Sequence, residues 1–308
     1  MRRRLGRKRV GVQALELERT SSTSALHTVR HPMNYRHAFH AGNFADVHKH
    51  VVLLALLDRL MRKPKPLLYL DTHAGKGSYD LRSPEATRGD EWRDGVERLG
   101  GHVPESEDVR RYCDSITPAL AQARYPGSPL LAIAHLREGD RAVFIEKQLE
   151  EAYALQQSVR NRRGVSVVHG DGYAALKTYL PPRESRGLVM IDPAYESQRE
   201  FSDALRALTF GLQRWPTGMF ALWYPIKATT DVARFHAALE DSGLRKLLAL
   251  ELSVKPNDSP IGLNGSGFII ANPPWQLDME MEAVHAELHR VLSHEGQGRT
   301  RVQWIVPE

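Results

Sequence analysis

Leu67-Leu68-Tyr69-Leu70-Asp71-Thr72-His73-Ala74-Gly75-Lys76-Gly77 is the stretch that decides the fold. A short apolar run closes on a carboxylate and two glycines then punctuate a turn, the order expected at the first strand and loop of a nucleotide-binding α/β unit. It is not a P-loop. Gly-Lys is followed by Gly77, and no glycine stands at the required upstream position. Before it, Val47, Val51, Leu54, Leu57 and Leu60 recur at helical spacing from Ala45 to about Arg62, and Lys63-Pro64-Lys65-Pro66 ends that helix. After it, Arg141 to Glu146, Val165 to His169, Gly187 to Asp192, Met219 to Tyr224, Leu247 to Val254 and Phe268 to Ala271 read as buried strands. Leu149 to Arg162, Tyr173 to Tyr179, Glu200 to Leu212 and Asp231 to Ser242 supply crossover helices. The alternation predicts an α/β fold, a mostly parallel seven-stranded sheet covered on both faces. The polar interval from Tyr79 to Arg124, with Trp92, Leu99 and Ile116 at loose helical spacing, reads as an inserted helical subdomain over about 80–124.

The chain has 308 residues, 42% of them hydrophobic, which suits one full α/β core with a small insertion. Its single cysteine, Cys113, excludes an internal disulfide and suits a reducing compartment. No apolar run approaches the roughly 20 residues of a membrane span, so no membrane association is expected. The formal charge of +5 comes from one end. Residues 1–32 carry eight Lys/Arg against Glu16 and Glu18; without them, 34 basic residues face 35 acidic ones. Any basic footprint on the folded part is therefore local. The leader has no apolar core and weakly resembles a transit peptide or a disordered RNA-binding arm. Met33 is the expected native start, with the structured domain running from 33 to 308.

Three strand ends carry carboxylates. Besides Asp71, Glu146 closes the second strand, where ribose hydroxyls are accepted in doubly wound folds, and Gly170-Asp171-Gly172 follows the third. Acidic groups on one sheet edge point to a nucleoside ligand. The fourth strand ends in Val189-Met190-Ile191-Asp192-Pro193-Ala194-Tyr195, close to the Asp-Pro-Pro-Tyr signature of amino-methyltransferases, with alanine at the third position. The chemistry accounts for the pattern. An adenine amine is a poor nucleophile because its lone pair is delocalised, so two acceptors must pyramidalise it. The Asp192 carboxylate and the Pro193 carbonyl are the candidates, with Tyr195 to stack on an extruded base. Asn272-Pro273-Pro274-Trp275 is a rival copy, read as a structural turn because it follows a late strand away from the switch point. His37, His40, His48, His50 and His73 form no metal-ligand pattern, so no metal is expected. Tyr125-Pro126-Gly127-Ser128-Pro129 opens a helix, with Ser128 the expected N-cap.

Taken in order, Asn34-Tyr35-Arg36-His37-Ala38-Phe39-His40-Ala41-Gly42-Asn43-Phe44-Ala45-Asp46-Val47-His48-Lys49-His50, Asp71-Thr72-His73-Ala74-Gly75, Tyr125-Pro126-Gly127-Ser128-Pro129 and Asp192-Pro193-Ala194-Tyr195 resemble the 23S ribosomal RNA adenine-N6 methyltransferase J family. The resemblance runs from Met33 to Glu308. It implies a monomeric, cytoplasmic, Rossmann-like class I methyltransferase that uses S-adenosylmethionine. The implied substrate is 23S ribosomal RNA, naked or partly assembled, with no protein partner required. It further implies cofactor contacts from His50, His73, Ser128, Glu146, Asp171, Gly172 and Asp192, catalysis at Asp192, and substrate contacts from Tyr35 and Lys49. Ala194 and the Arg-rich leader depart from the family pattern.

Two other readings stand beside this one: a DNA adenine methyltransferase of the same chemistry, and a non-catalytic RNA-binding or ribosome-assembly protein of the same fold. The insertion looks too short and too neutral for base-specific DNA readout. Asp192 argues against the non-catalytic protein.

Overall fold

The protein is described from a computed structural model, which covers residues 36–308 except 198, 257, 258 and 261. The basic leader, the expected start at Met33 and Tyr35 lie outside the described residues.

The chain enters through a helix that is nearly all core. Helix α1, Phe44–Met61, starts at Asn43, whose side chain accepts the amide of Asp46. This N-cap satisfies one of the donors a helix start leaves open. Apolar residues from Val47 to Leu60 pack against the sheet, and Asp46, His48, Lys49 and His50 are buried among them. Strand β1, Leu68–Asp71, follows in the interior of the sheet, between the strands Gly187–Ile191 and Arg141–Glu146. The next stretch leaves the sheet. Strands β2, Ser78–Asp80, and β3, Arg124–Pro126, form an antiparallel ribbon, and between them lie helices α2, Pro84–Gly89, and α3, Glu107–Leu120, with two short 3-10 turns. Gly42 and Gly95 let this stretch press on the start of α1, because a Cβ on Gly95 would stand 2.1 Å from the Gly42 carbonyl oxygen.

Helix α4, Ser128–His135, returns the chain to the sheet. Alternation then holds through β4, Arg141–Glu146; α5, Leu149–Val159; β5, Val165–His169; α6, Gly172–Tyr179; β6, Gly187–Ile191; α7, Glu200–Arg214; β7, Met219–Ile226; and α8, Thr229–Glu240. Strands β8, Leu247–Ser253, and β9, Gly265–Ala271, helix α9, Leu277–Leu292, and β10, Arg299–Val306, complete the fold. The sheet order is β10-β8-β9-β7-β6-β1-β4-β5. The pairs β5/β4, β4/β1, β1/β6 and β6/β7 are parallel, whereas β9 runs antiparallel to β7 and β8, and β10 antiparallel to β8. Among the described residues this sheet has eight strands, one more than expected, and the addition is the C-terminal edge strand β10.

The topology fixes where a ligand goes. From β1 the chain moves outward to β4 and β5, then crosses back to β6 on the other side of β1. A crevice opens at such a switch point, over the carboxyl ends of β1 and β6. Asp71, Glu146, Asp171 and Asp192 all belong to that edge.

Candidate active site

The loop after β1 is held from beneath by a buried carboxylate. Asp71 accepts the hydroxyls of Tyr69 (3.0 Å) and Ser128 (2.7 Å) on one oxygen and the amide of His73 (3.2 Å) on the other. Burial pushes its carboxyl up to about 6; the Ser128 hydroxyl works against that shift and the Asp192 charge adds to it. Ser128 is therefore not the N-cap of α4. Gly127 takes that place, and the serine hydroxyl is committed to Asp71. The amide of Thr72 donates to the Met190 carbonyl, which ties the β1 loop to the end of β6.

Beyond the glycine turn the loop meets β4. The Gly75 amide donates to Glu146 Oε2 at 2.8 Å, and the Gln148 amide to Oε1 at 2.7 Å. One step further, Asp171 caps α6 by accepting the amides of Tyr173 and Ala174, and Lys147 reaches its other oxygen at 3.4 Å. Gly172 makes this packing possible, since a Cβ there would stand 2.0 Å from the Thr72 carbonyl oxygen. Backbone and carboxylates of three adjacent strands are thus drawn together at one edge of the sheet. His73 borders it, its ring edge-on to Tyr173 at 5.2 Å. Burial lowers the His73 imidazole to about 4 despite the nearby Asp192 and Asp171 charges, so it is neutral at neutral pH.

The β6 side is built differently. Asp192 is the first residue past the strand, and its Oδ2 accepts Lys49 Nζ at 2.8 Å. Among the described residues its Oδ1 has no hydrogen-bond partner. Lys49 is only 5% exposed and also reaches Asp46 Oδ1 at 3.3 Å, while its ammonium lies 4.7 Å from the centre of the Trp223 ring. Asp46, 1% exposed, takes further donors from the Gly42 amide and His37 Nε2. Burial opposes its ionisation, but His37 and Lys49 together hold its carboxyl well below the ordinary range. The result is a buried chain of charge, Asp46 to Lys49 to Asp192, ending at the sheet edge.

Tyr195 has the left-handed backbone that a bulky residue seldom adopts, with φ 51°. Its ring packs on Phe201 and Trp223 and its hydroxyl donates to the Trp223 carbonyl at 2.8 Å, so it is buried rather than presented as a flat platform. Such local strain is characteristic of functional loops. Lys49, assigned above to the substrate side, meets Asp192 at the edge of the cleft. His50, its neighbour on α1, hydrogen-bonds through Nδ1 to the Tyr125 hydroxyl at 2.7 Å, and Tyr125 in turn meets Tyr112 at 3.0 Å. Burial lowers the His50 imidazole to about 3.

The structure thus gathers His50, His73, Ser128, Glu146, Asp171, Gly172, Asp192, Pro193 and Lys49 around one edge of the sheet. Asp46 and Trp223 also belong there. Asp46 falls inside the quoted opening block but carries no signal of its own, and Trp223 reads only as part of an apolar strand. The rival Asn272 lies at the other edge, because β9 runs against β7, and its amide donates to the Pro216 and Gly218 carbonyls. Among the described residues no three His, Cys, Asp or Glu side chains form a metal-binding group, and no helix is long and apolar enough to cross a membrane.

One half of the edge gathers Glu146, Asp171 and the Gly75 loop, and the other presents Asp192, whose Oδ1 has no hydrogen-bond partner among the described residues, followed by Pro193. That division defines a class I amino-methyltransferase. Comparison with known proteins narrows the class. A family model described as Ribosomal RNA large subunit methyltransferase D, RlmJ, matches residues 64–306. Ribosomal RNA large subunit methyltransferase J of Haemophilus influenzae is 38% identical over 280 residues, covering 90% of this chain and 100% of that protein. The Escherichia coli protein of the same name is 39% identical over 279 residues, with the same coverage. A crystal structure of protein LPL1258 from Legionella pneumophila is similar with a TM-score of 0.77 at 32% identity, covering 86% of this chain and 97% of that one. The chain belongs to the RlmJ family of methyltransferases.

Proposed function

We propose that this chain methylates the exocyclic N6 amine of one adenine in 23S ribosomal RNA, taking the RNA naked or in an early assembly intermediate. It does so in the cytoplasm with no protein partner required. Ribosomal RNA as the substrate class and S-adenosylmethionine as the donor come with the family. The observation that carries the choice of an amine is Asp192, anchored by Lys49 on one oxygen and, among the described residues, without a hydrogen-bond partner on the other.

The donor fits the edge chemically. It carries a sulfonium, an ammonium and a ribose diol, and four carboxylates stand at the ends of four adjacent strands. Glu146 and Asp171 would hold the nucleoside, with the Gly75 loop and Gly172 leaving room for close backbone approach, and His50, His73 and Ser128 completing the wall. When bound, the donor supplies an electrophilic methyl group. The protein's own contribution is orientation. Asp192 Oδ1 accepts one N–H of the amine and the Pro193 carbonyl accepts the other, which pyramidalises the nitrogen and takes its lone pair out of conjugation with the ring. The proton lost after transfer passes to Asp192 or to water. Lys49 keeps the carboxylate from rotating away and balances its charge. Tyr195 and Trp223 pack edge to face against each other beside Asp192, with Trp223 also against Lys49.

Labelled methyl transfer to protein-free 23S RNA, assembled large subunits and duplex DNA, with nucleoside analysis, tests this reading. N6-methyladenosine in the free RNA is expected. Label confined to assembled subunits or to DNA, or no transfer to any of the three, contradicts it.

A further inference from the structure

Behind the catalytic edge, four buried polar side chains from four elements join in one line. Trp223 Nε1 of β7 meets Ser266 Oγ of β9 at 2.9 Å, and the same oxygen meets His48 Nδ1 of α1 at 2.8 Å. His48 Nε2 meets His285 Nε2 of α9 at 2.9 Å, and His285 Nδ1 meets the Met281 carbonyl at 2.7 Å. His48, Ser266 and His285 have no exposed surface.

Donor chemistry gives the line a single direction. A carbonyl only accepts, so His285 carries its proton on Nδ1 and offers a bare Nε2. His48 must then donate from Nε2, which leaves its Nδ1 to accept the Ser266 hydroxyl. An indole N–H only donates, so the serine oxygen accepts from Trp223. Every group is used once and none conflicts. Both imidazoles are kept neutral by burial, in agreement with this assignment. Apolar side chains of similar volume would fill the same space with comparable stability, so the line calls for a reason beyond packing.

Its outer end supplies one. The Trp223 ring lies 4.7 Å from Lys49 Nζ, its carbonyl holds the Tyr195 hydroxyl, and His48 is the residue before Lys49 on α1. We propose that Trp223, Ser266, His48 and His285 form a positioning relay that fixes the indole against Lys49 and so aims the Asp192 carboxylate. The relay rests on Asp192 being the acceptor of the substrate amine. Its members are positioning residues, since none touches the reacting atoms.

The test is Ser266→Ala in the full chain, which removes the central hydroxyl with little change in volume. Two results are expected: hydrogen exchange of the Trp223 indole proton, identified by its absence in Trp223→Phe, speeds up at least about tenfold. The single-turnover rate of methyl transfer falls about tenfold while the dissociation constants for donor and RNA stay within about twofold. Should Ser266→Ala fail to fold, Ser266→Cys keeps the shape, replaces the hydroxyl with a weakly hydrogen-bonding thiol and carries the same expectation for rate and affinity. A wild-type rate overturns the relay, and so does a loss of rate matched by equal losses of both affinities. Asp192→Ala is run alongside. If it still transfers methyl, the reading of Asp192 fails; if it is inactive while Ser266→Ala runs at the wild-type rate, the relay alone fails.

Discussion

Lys49 concentrates charge at the site. Its ammonium serves two carboxylates, one 1% exposed and the other open to the cleft. Lys49→Met takes the ammonium away from Asp46, which keeps its hydrogen bonds from the Gly42 amide and His37 Nε2. Removing one member of a buried pair costs about 3 kcal/mol, which urea unfolding will measure. Methyl transfer is expected to fall about a hundredfold, because Asp192 loses the contact that orients it. Unchanged stability in this variant would show that the buried charges are balanced some other way. At this scale the sequence is half legible. Asp192-Pro193-Ala194-Tyr195 announces its chemistry because that chemistry needs those atoms at that spacing. Lys49 does not, since nothing in a linear chain says that residue 49 meets residue 192, and a lysine near a nucleic-acid site reads first as a phosphate contact. Tyr195 differs from its expected stacking pose for a similar reason: its left-handed backbone, which aims the ring inward, has no sequence signal.

Helix α6 and the loop after β1 make the closest approach between elements at the site. In Gly172→Ala the new methyl group meets the Thr72 carbonyl 2.0 Å away, and α6 must back away from the loop. Donor affinity is expected to weaken about tenfold by calorimetry, with a lowered melting temperature and the fold retained. An alanine variant that binds as well as the parent would mean that the loop yields freely. Legibility of the other elements follows burial. The buried strands β4 and β6 show as continuous apolar runs bounded by turns, whereas β5, expected to be buried, is an edge strand with no buried residue that shows only through Val165, Val167 and Val168; all three spans match those expected to within a residue. Strand β9 begins three residues before its expected start because Gly265-Ser266-Gly267 resembles a loop; Gly267 is required there, a Cβ falling 2.4 Å from the Tyr224 ring. Strand β7 runs on through Pro225, tolerated because its pairing with β6 stops at Leu222. The edge strand β10 is exposed or half-buried until it ends in the buried Ile305 and Val306, and has no long apolar run to reveal it. Helix α9 is absent from the expected crossovers, although Leu277, Met281, Val284, Leu288 and Leu292 carry a helical stripe.

Across the whole molecule, buried imidazoles set the response to acid. His48, His50, His73, His236 and His285 all titrate below their ordinary value because burial disfavours the cation. Their folded values are depressed, so the stability they contribute is present above the unfolded value of 6.5 and is lost as pH falls toward 4. Asp71, raised from 3.8 to about 6, works the other way over part of that range. Unfolding near pH 5 should therefore take up about four protons, so the melting temperature drops steeply once pH passes below 6.5. A flat melting temperature from pH 7.5 to 5 would contradict the burial of these rings. The same architecture joins a nucleoside-holding half and an amine-holding half across one switch point, and the central claim is that Asp192 links them. The most direct measurement is single-turnover methyl transfer to protein-free 23S RNA by Asp192→Ala, with donor and RNA binding measured on the same protein. The account predicts binding of both with no detectable N6-methyladenosine; methylation by Asp192→Ala at the parent rate would contradict it.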